Sequence, residues 1–473
     1  MEKIADIIIV GGGISGVTCA QTVNELNPDV TVILITASPL IKTVVNFKQV
    51  TERIESFQVE EKNKSYLEVS CINIEVIDDV VTEIQSENHI LFTENGMKMK
   101  YKKLCLCTGG RPKVISEYNP YVLGIRDTES VQEFQKRLKN AKRIVVVGNG
   151  GIATELVYEI EGCEVIWAIK DKSIANTFVD AGAAQFFLPS INKDKTKTHE
   201  PLKRHKYTIT DEETANRTIN GGALGPDWSL NLTMVGLKQD SHKVHIEYNV
   251  EVNKILTAAE MLSSECDKWP VYIELSNGKV YGSDVIVSAT GVIPNSQQLH
   301  TDKPFDIGED GGIKVNDKME TNIMDIYGAG DICSANWKPS KHWLQMRLWS
   351  QARQMGCYAA KSMLADLDNE EITLDFCFEL FTHMTKFFNY KVILLGKFNG
   401  QNLGENQEIL LRMTEGVEYI KLILQDSRLQ GAILIGETDL EETFENLILN
   451  ETDLTLFKDQ LLNPGIDIED FFD

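Results

Sequence analysis

Two glycine clusters, each set between a short apolar run and a stretch of helix-compatible spacing, restrict this chain more than any other feature. The first is GGGISG, with Gly11, Gly13 and Gly16, directly after the β-like run Ile4–Val10 and ahead of VTCAQTVNELN. A second apolar run from Val30 to Ile35 closes a βαβ unit. The pattern recurs from Arg143 to Lys170, where RIVVV leads into GNGGIATE, with Gly148, Gly150 and Ala153, then a helical ELVYEIEG and a closing EVIWAI. In such a unit the first glycine permits the tight turn, the second removes the Cβ that would block a pyrophosphate, and the third lets helix and strand pack closely. The helix N-terminus then offers oriented N–H groups to the anion. With Gly at about 7% of residues, three glycines at this spacing arise by chance in roughly one chain in six of this length, so a single copy decides little. Two copies in the same strand–turn–helix context predict an α/β protein with two Rossmann-like dinucleotide folds.

At 473 residues the chain is long enough for about three domains of roughly 100 to 200 residues each. Forty-seven basic against seventy acidic residues leave a net charge of -23, which argues against phosphate polyanions and anionic lipid, so no direct nucleic-acid or membrane partner is expected. No run approaches the 18 or so apolar residues that span a bilayer. The opening MEKIADIIIVGGG fits neither a signal nor a transit peptide, and the nine cysteines sit singly in apolar contexts. A reducing compartment, the cytoplasm or the nucleus, is therefore expected. Between residues 192 and 228 hydrophobic density falls, and the basic cluster NKDKTKTHEPLKRHK reads as a solvated surface insertion, or alternatively as a nuclear-import or acidic-partner patch. From about residue 371 the strands KVILLGKF, EILLRM, EYIKLIL and QGAILIG and the helix-like DLEETFENLILN predict a separate α+β domain ending in the acidic DIEDFFD.

The usual fingerprint places an acidic residue after the second strand to hold the adenosine ribose, and neither copy follows it. Thr36 stands there in the first unit, Ile169 and Lys170 in the second. Thr36 can share a hydrogen bond with a ribose hydroxyl, whereas Lys170 and Lys172 can meet a 2′-phosphate, which tips the expectation toward NADPH over NADH. Two further strands end in Thr-Gly, at Thr108–Gly109 in KKLCLCTGGRP and Thr290–Gly291 in SDVIVSATGVIPN. A third, TNIMDIYGAGDI, ends in Gly330–Asp331. The order of these five elements over residues 4–332 resembles the pyridine nucleotide-disulfide oxidoreductase superfamily. That resemblance implies a flavin domain split by a nicotinamide domain, with a C-terminal interface domain. Here the expected boundaries are 1–115 with 285–370, 116–284, and 371–473. It further implies FAD at Gly11, Gly13, Gly16, Thr108, Gly109 and Asp331, and the nicotinamide dinucleotide, NAD(P)H, at Gly148, Gly150, Ala153 and Glu155.

Disulfide reductases of that superfamily carry CxxxxC in the flavin domain or CxxC in the nicotinamide domain, and this chain has neither spacing. Asn46 in KTVVNFKQV stands roughly where single-cysteine oxidases place their sulfur. Cys105 and Cys107, two apart on a strand, read as buried apolar side chains. Cys163, Cys333 and Cys357 lack ligand spacing and a nearby histidine cluster, so no metal is expected. Without a thiol, electrons leave a reduced flavin directly, to oxygen, a quinone, another small oxidant or a bound protein. By resemblance Lys42 matches a basic residue near flavin N5, though an exposed loop lysine reads equally well. Trp343 and Trp349 in HWLQMRLW read as core packing or as rings beside the cofactors. Two functions stay open: an NAD(P)H oxidoreductase, and a redox-sensing protein that keeps reduced flavin and oxidised nicotinamide together and protects a partner. Phrases such as NPYVLGIRDT and QMRLWSQARQMG resemble one branch of the superfamily, which implies a part in the oxidative-stress response and the tRNA ligase complex as that partner.

Overall fold

The strand Glu2–Val10 ends in the run Ile7, Ile8, Ile9 and Val10, each no more than 6% exposed, as befits a central parallel strand covered on both faces. The computed structural model describes residues 2–191, 234–237, 242–261 and 269–465, and places this strand between Val32–Thr36 and Lys98–Leu106, both parallel to it. It is the middle of an eight-stranded sheet, which strand Ile326–Gly328 joins late in the chain by pairing with Lys98–Leu106. Helix Ile14–Leu26 follows the first strand and is crossed by helix Trp349–Leu367. The crossing is close because Gly356 has no side chain: a Cβ there would stand 2.2 Å from the Ser15 carbonyl oxygen.

A second, five-stranded parallel sheet repeats the plan. Strand Arg143–Val147 lies between Cys163–Ala168 and Val285–Ser288, with Val122–Gly124 and His242–Glu247 outermost. The expected return to the flavin unit at residue 285 therefore falls too early, since Val285–Ser288 hydrogen-bonds within the second sheet. The return comes just after it, where Val292–Pro294 pairs antiparallel with Gly110–Pro112 in a two-stranded link.

The C-terminal sheet is wholly antiparallel, in the order Thr382–Phe387, Tyr390–Gly396, Arg428–Ile435, Glu418–Gln425, Glu408–Thr414. Its central strands Arg428–Ile435 and Glu418–Gln425 are buried on both faces, whereas the edge strand Glu408–Thr414 is largely exposed. Ile393 and Leu395 meet Phe444 and Ile448 of helix Glu441–Leu449. Val392, Leu394 and Tyr419 join Phe178, Ala183 and Phe187 of the second unit in one core. The 192–228 insertion with its basic cluster and the acidic tail 467–473 lie outside the described residues. No described helix is long and apolar enough to cross a membrane.

Candidate functional site

Each glycine turn is tight where the chain must reverse and open where a ligand can approach. Gly11 has φ +123° and Gly148 φ +129°, and a Cβ on either would stand 2.2 or 2.1 Å from the carbonyl oxygen of Cys107 or Ala289. Gly16 faces the Gly11 carbonyl oxygen so closely that its Cβ would come within 2.0 Å. Gly13 and Gly150, by contrast, would place a Cβ in open space. Both are helix N-caps, neither helix start is capped by a side chain, and neither first turn holds an acidic residue. Two sets of unspent N–H groups thus open on two clear spaces, as a pyrophosphate requires.

The two spaces belong to one cavity of about 1730 Å³. Gly11, Gly13, Thr108, Gly109 and Asp331 line its first half; Gly148, Gly150, Glu155, Lys170, Thr290 and Gly291 line the second. Gly16, Ala153 and Gly330 stay out of the wall. Ala153 is fully buried, and Gly330, at φ +83°, packs its loop on Ser15. The buried Thr108 Oγ1 and Asn295 Oδ1, both of cavity residues, have no protein partner. Open turns, uncapped helix starts and orphaned polar atoms together fit a bound dinucleotide in each half.

Several residues stand otherwise than expected. The Asp331 carboxylate is held by the Arg126 guanidinium, and its carbonyl accepts from Arg347 Nε at 2.8 Å. Arg126, not among the residues expected from the sequence, therefore belongs to the cavity's first half. Thr36 is buried, and its hydroxyl donates to the Ser38 carbonyl at 3.1 Å, spending on the turn the group expected to meet a ribose. An acid does follow the second unit's second strand, one residue past Lys170. Asp171 lines the cavity, and its carboxylate accepts from the side-chain amide of Asn149, the residue between the turn's first two glycines, at 2.7 Å. Lys170, the residue expected there from the sequence, is exposed at the cavity edge. Trp343 is core, against Trp337 and Phe378, whereas Trp349 lines the cavity.

Lys42 lies on strand Leu40–Gln49 and lines the cavity, with its Nζ 4.0 Å from Glu61. Burial pushes the lysine pKa down and the glutamate pKa up, so each charge depends on the other. Asn46, farther along that strand, is exposed, bonds to Gln58 at 2.6 Å and is no part of the wall. Cys107 is the cavity's own thiol, 3.6 Å from Cys105 Sγ and 4% exposed. Its contact with Cys105 and its burial push its pKa well above the ordinary value, which leaves it a protonated, unreactive thiol. Among the described residues every cysteine is free and no cluster of potential metal ligands occurs.

The third sheet closes one end of the cavity. His383, Thr385 and Phe387, alternate residues of its edge strand, face the cavity beside Phe178 and Trp349. His383 is 1% exposed, and burial lowers its pKa to about 3, so the ring is neutral. His383 was not among the residues expected from the sequence. The available signal was the strand THMTKF, whose alternate polar residues His383 and Thr385 are both buried.

The chain matches the family model described as pyridine nucleotide-disulphide oxidoreductase over residues 5–214 and 233–356, and that of the rubredoxin NAD+ reductase C-terminal domain over 382–452. It is 53% identical to pyridine nucleotide-disulfide oxidoreductase domain-containing protein 1 of Homo sapiens, with 98% of this chain and 97% of the relative covered. The protein of that name in Danio rerio is 56% identical over 100% of this chain and 98% of its own. Among solved structures, putidaredoxin reductase in its covalent complex with putidaredoxin superposes with a TM-score of 0.64 at 15% identity, covering 95% and 94% of the two chains. Water-forming NADH oxidase from Lactobacillus brevis bound to NADH gives 0.65 at 16%, covering 95% and 92%. At such identities these two likenesses speak for the fold.

Proposed function

The chain belongs to the pyridine nucleotide-disulphide oxidoreductase family, and from that premise we propose that it passes electrons from NAD(P)H to a small acceptor without a dithiol relay. It is an NAD(P)H-dependent oxidoreductase that binds FAD and NAD(P)H. FAD supplies the two-electron exchange with the nicotinamide when bound. Gly11, Gly13, Thr108, Gly109, Arg126 and Asp331 hold the flavin nucleotide, with Gly16 and Gly330 shaping its turn. Gly148, Gly150, Glu155, Asp171, Thr290 and Gly291 hold the nicotinamide nucleotide, with Ala153 packing the helix behind it. Lys42, steadied by Glu61, places a positive charge on the flavin side of the cavity, where it favours an electron-rich ring. On this division residues 1–115 and those from about 289 to 370 form the flavin unit, 116–288 the nicotinamide unit, and 371–473 the third.

The observation that carries the reading is the state of the sulfur atoms. The strand holding Lys42 brings no thiol to the cavity, Asn46 faces solvent, and Cys107 is buried with a raised pKa. A thiolate ready to accept electrons is thereby lacking among the described cavity residues. The second reading, carried by the sequence resemblance, is a redox sensor of the oxidative-stress response that acts in cytoplasm and nucleus and protects the tRNA ligase complex. Both share a cavity whose described thiol, Cys107, is buried and protonated, and they differ in the fate of the reduced flavin. Rapid mixing of the oxidised holoprotein with NADH or NADPH, and then with oxygen or a quinone, separates them. Fast return of the oxidised flavin spectrum supports the turning-over enzyme. A long-wavelength band that persists supports the sensor, and no reduction by either nucleotide contradicts both.

A further inference from the structure

His383 and Thr385 are buried polar residues in a wall that is otherwise aromatic. The imidazole lies 4.8 Å from the Trp349 ring and 6.0 Å from Phe178, and Phe387 continues the same face of the strand. Ser350 Oγ holds Nδ1 at 3.2 Å, which fixes the ring's orientation. Nε2 and the Thr385 Oγ1 have no hydrogen-bond partner, although both residues line the cavity. Buried polar groups left without partners are uncommon, and two on neighbouring residues of one strand face call for a ligand that satisfies both.

Their position names the end of the ligand they meet. Phe178 and Phe387 are the nearest atoms to a Cβ built on Gly151, so this wall abuts the second glycine turn. Trp349 and Ser350 open helix Trp349–Leu367, which crosses the helix of the first turn. The pair thus stands between the two nucleotide halves, where the reacting rings must meet. A neutral imidazole offers one donor or one acceptor at Nε2, and a hydroxyl offers both. Neither gives a charge, which disfavours a phosphate or carboxylate as the match. A primary carboxamide, an acceptor oxygen beside a donor NH2 on a flat ring that can lie against aromatic side chains, is complementary to the set.

From this juxtaposition we infer that His383 and Thr385, supplied by the C-terminal sheet, bind the carboxamide of the nicotinamide ring and so position the ring. The inference rests on the NAD(P)H reading above and assigns a positioning role to residues of the third unit. It concerns binding, so it can be read without turnover.

The test is calorimetric titration of the FAD-loaded full chain with NAD+, with the analogue in which an acetyl group replaces the carboxamide, and with ADP-ribose, which has no nicotinamide. The unaltered protein should bind NAD+ about tenfold tighter than the acetyl analogue, about 1.4 kcal/mol. In His383→Phe and in the volume-conserving Thr385→Val this ratio should shrink toward one, while ADP-ribose affinity stays constant. Thr385→Val keeps the inference testable if His383→Phe fails to fold. An unchanged ratio in Thr385→Val, or equal losses for NAD+ and ADP-ribose, overturns the assignment. Failure of the unaltered protein to bind ADP-ribose overturns the dinucleotide reading together with it.

Discussion

Gly13 and Gly16 are three residues apart and should fail in opposite ways. Gly13 would place a Cβ in open space, whereas Gly16 would drive one to within 2.0 Å of the Gly11 carbonyl oxygen. Gly13→Val should therefore leave the melting temperature of the flavin-free protein nearly unchanged and weaken FAD binding on the order of tenfold or more. Gly16→Ala should cost about 3 kcal/mol of stability by overpacking. Flavin content and thermal melts of both variants check the pair. His383 gives a pH signature of its own, because its pKa falls from 6.5 in the free side chain to about 3 on burial. Its stabilising effect is complete above pH 6.5 and is lost as pH falls toward 3, since the unfolded chain takes up a proton that the folded chain refuses. Between pH 6.5 and 5 the unaltered protein should lose roughly 2 kcal/mol more stability than His383→Phe, as read by urea unfolding at saturating FAD. Parallel losses in the two proteins would place the acid sensitivity elsewhere. The second turn's acid shows the limit of reading by position: the ribose-binding place was sought at Ile169 and Lys170, and the side chain tied to Asn149 is the next one, Asp171. Where a strand hands over to its loop depends on backbone pairing that spacing does not show.

The strand–turn–helix units were legible because much of what shapes them is local: apolar runs mark the strands, Gly11 and Gly148 supply the positive φ of their turns, and Gly16 packs on the Gly11 carbonyl oxygen. The C-terminal strands were legible as strands by the same local logic. Their contribution to the cavity was not, because His383 and Thr385 acquire it from Phe178 and Trp349, more than thirty residues away in sequence or across another unit. The same holds for Asp331, whose partner Arg126 lies far back in the chain, ahead of most of the second sheet, and can be found only in three dimensions. A largely buried ion pair ties the third sheet to the second unit. Lys421 Nζ, 5% exposed, meets Asp180 at 2.6 Å, and that carboxylate also accepts from the Ala183 N–H and the Tyr419 hydroxyl. Lys421→Ala should cost about 2 kcal/mol, below the full cost of stripping a buried pair because Asp180 keeps some contact with water. Lys421→Met, which keeps the aliphatic stem, should cost less. Equal stability of the alanine variant and the unaltered protein in thermal melts would show that this ion pair does not hold the sheet in place.

At the scale of the molecule, two sheets built on one plan end in glycine turns that share one cavity, and a third sheet closes it. On the reading proposed above, nucleotide choice is decided at its edge. Lys170 favours a 2′-phosphate, yet Asp171, fixed by Asn149, turns a carboxylate to the same wall, and a fixed carboxylate suits a free ribose hydroxyl and repels a phosphate. NADH should bind more tightly than NADPH, and Asp171→Ser should move the ratio toward NADPH by about tenfold; an unmoved ratio would remove Asp171 from the ribose site. The decisive question is whether the two nucleotides exchange electrons with no sulfur between them. Anaerobic titration of the FAD-loaded protein with the better-bound nucleotide answers it by stoichiometry. One equivalent per flavin should bleach the oxidised spectrum completely. Uptake of a second equivalent, with a thiolate-to-flavin band after the first, would contradict a cavity without a dithiol.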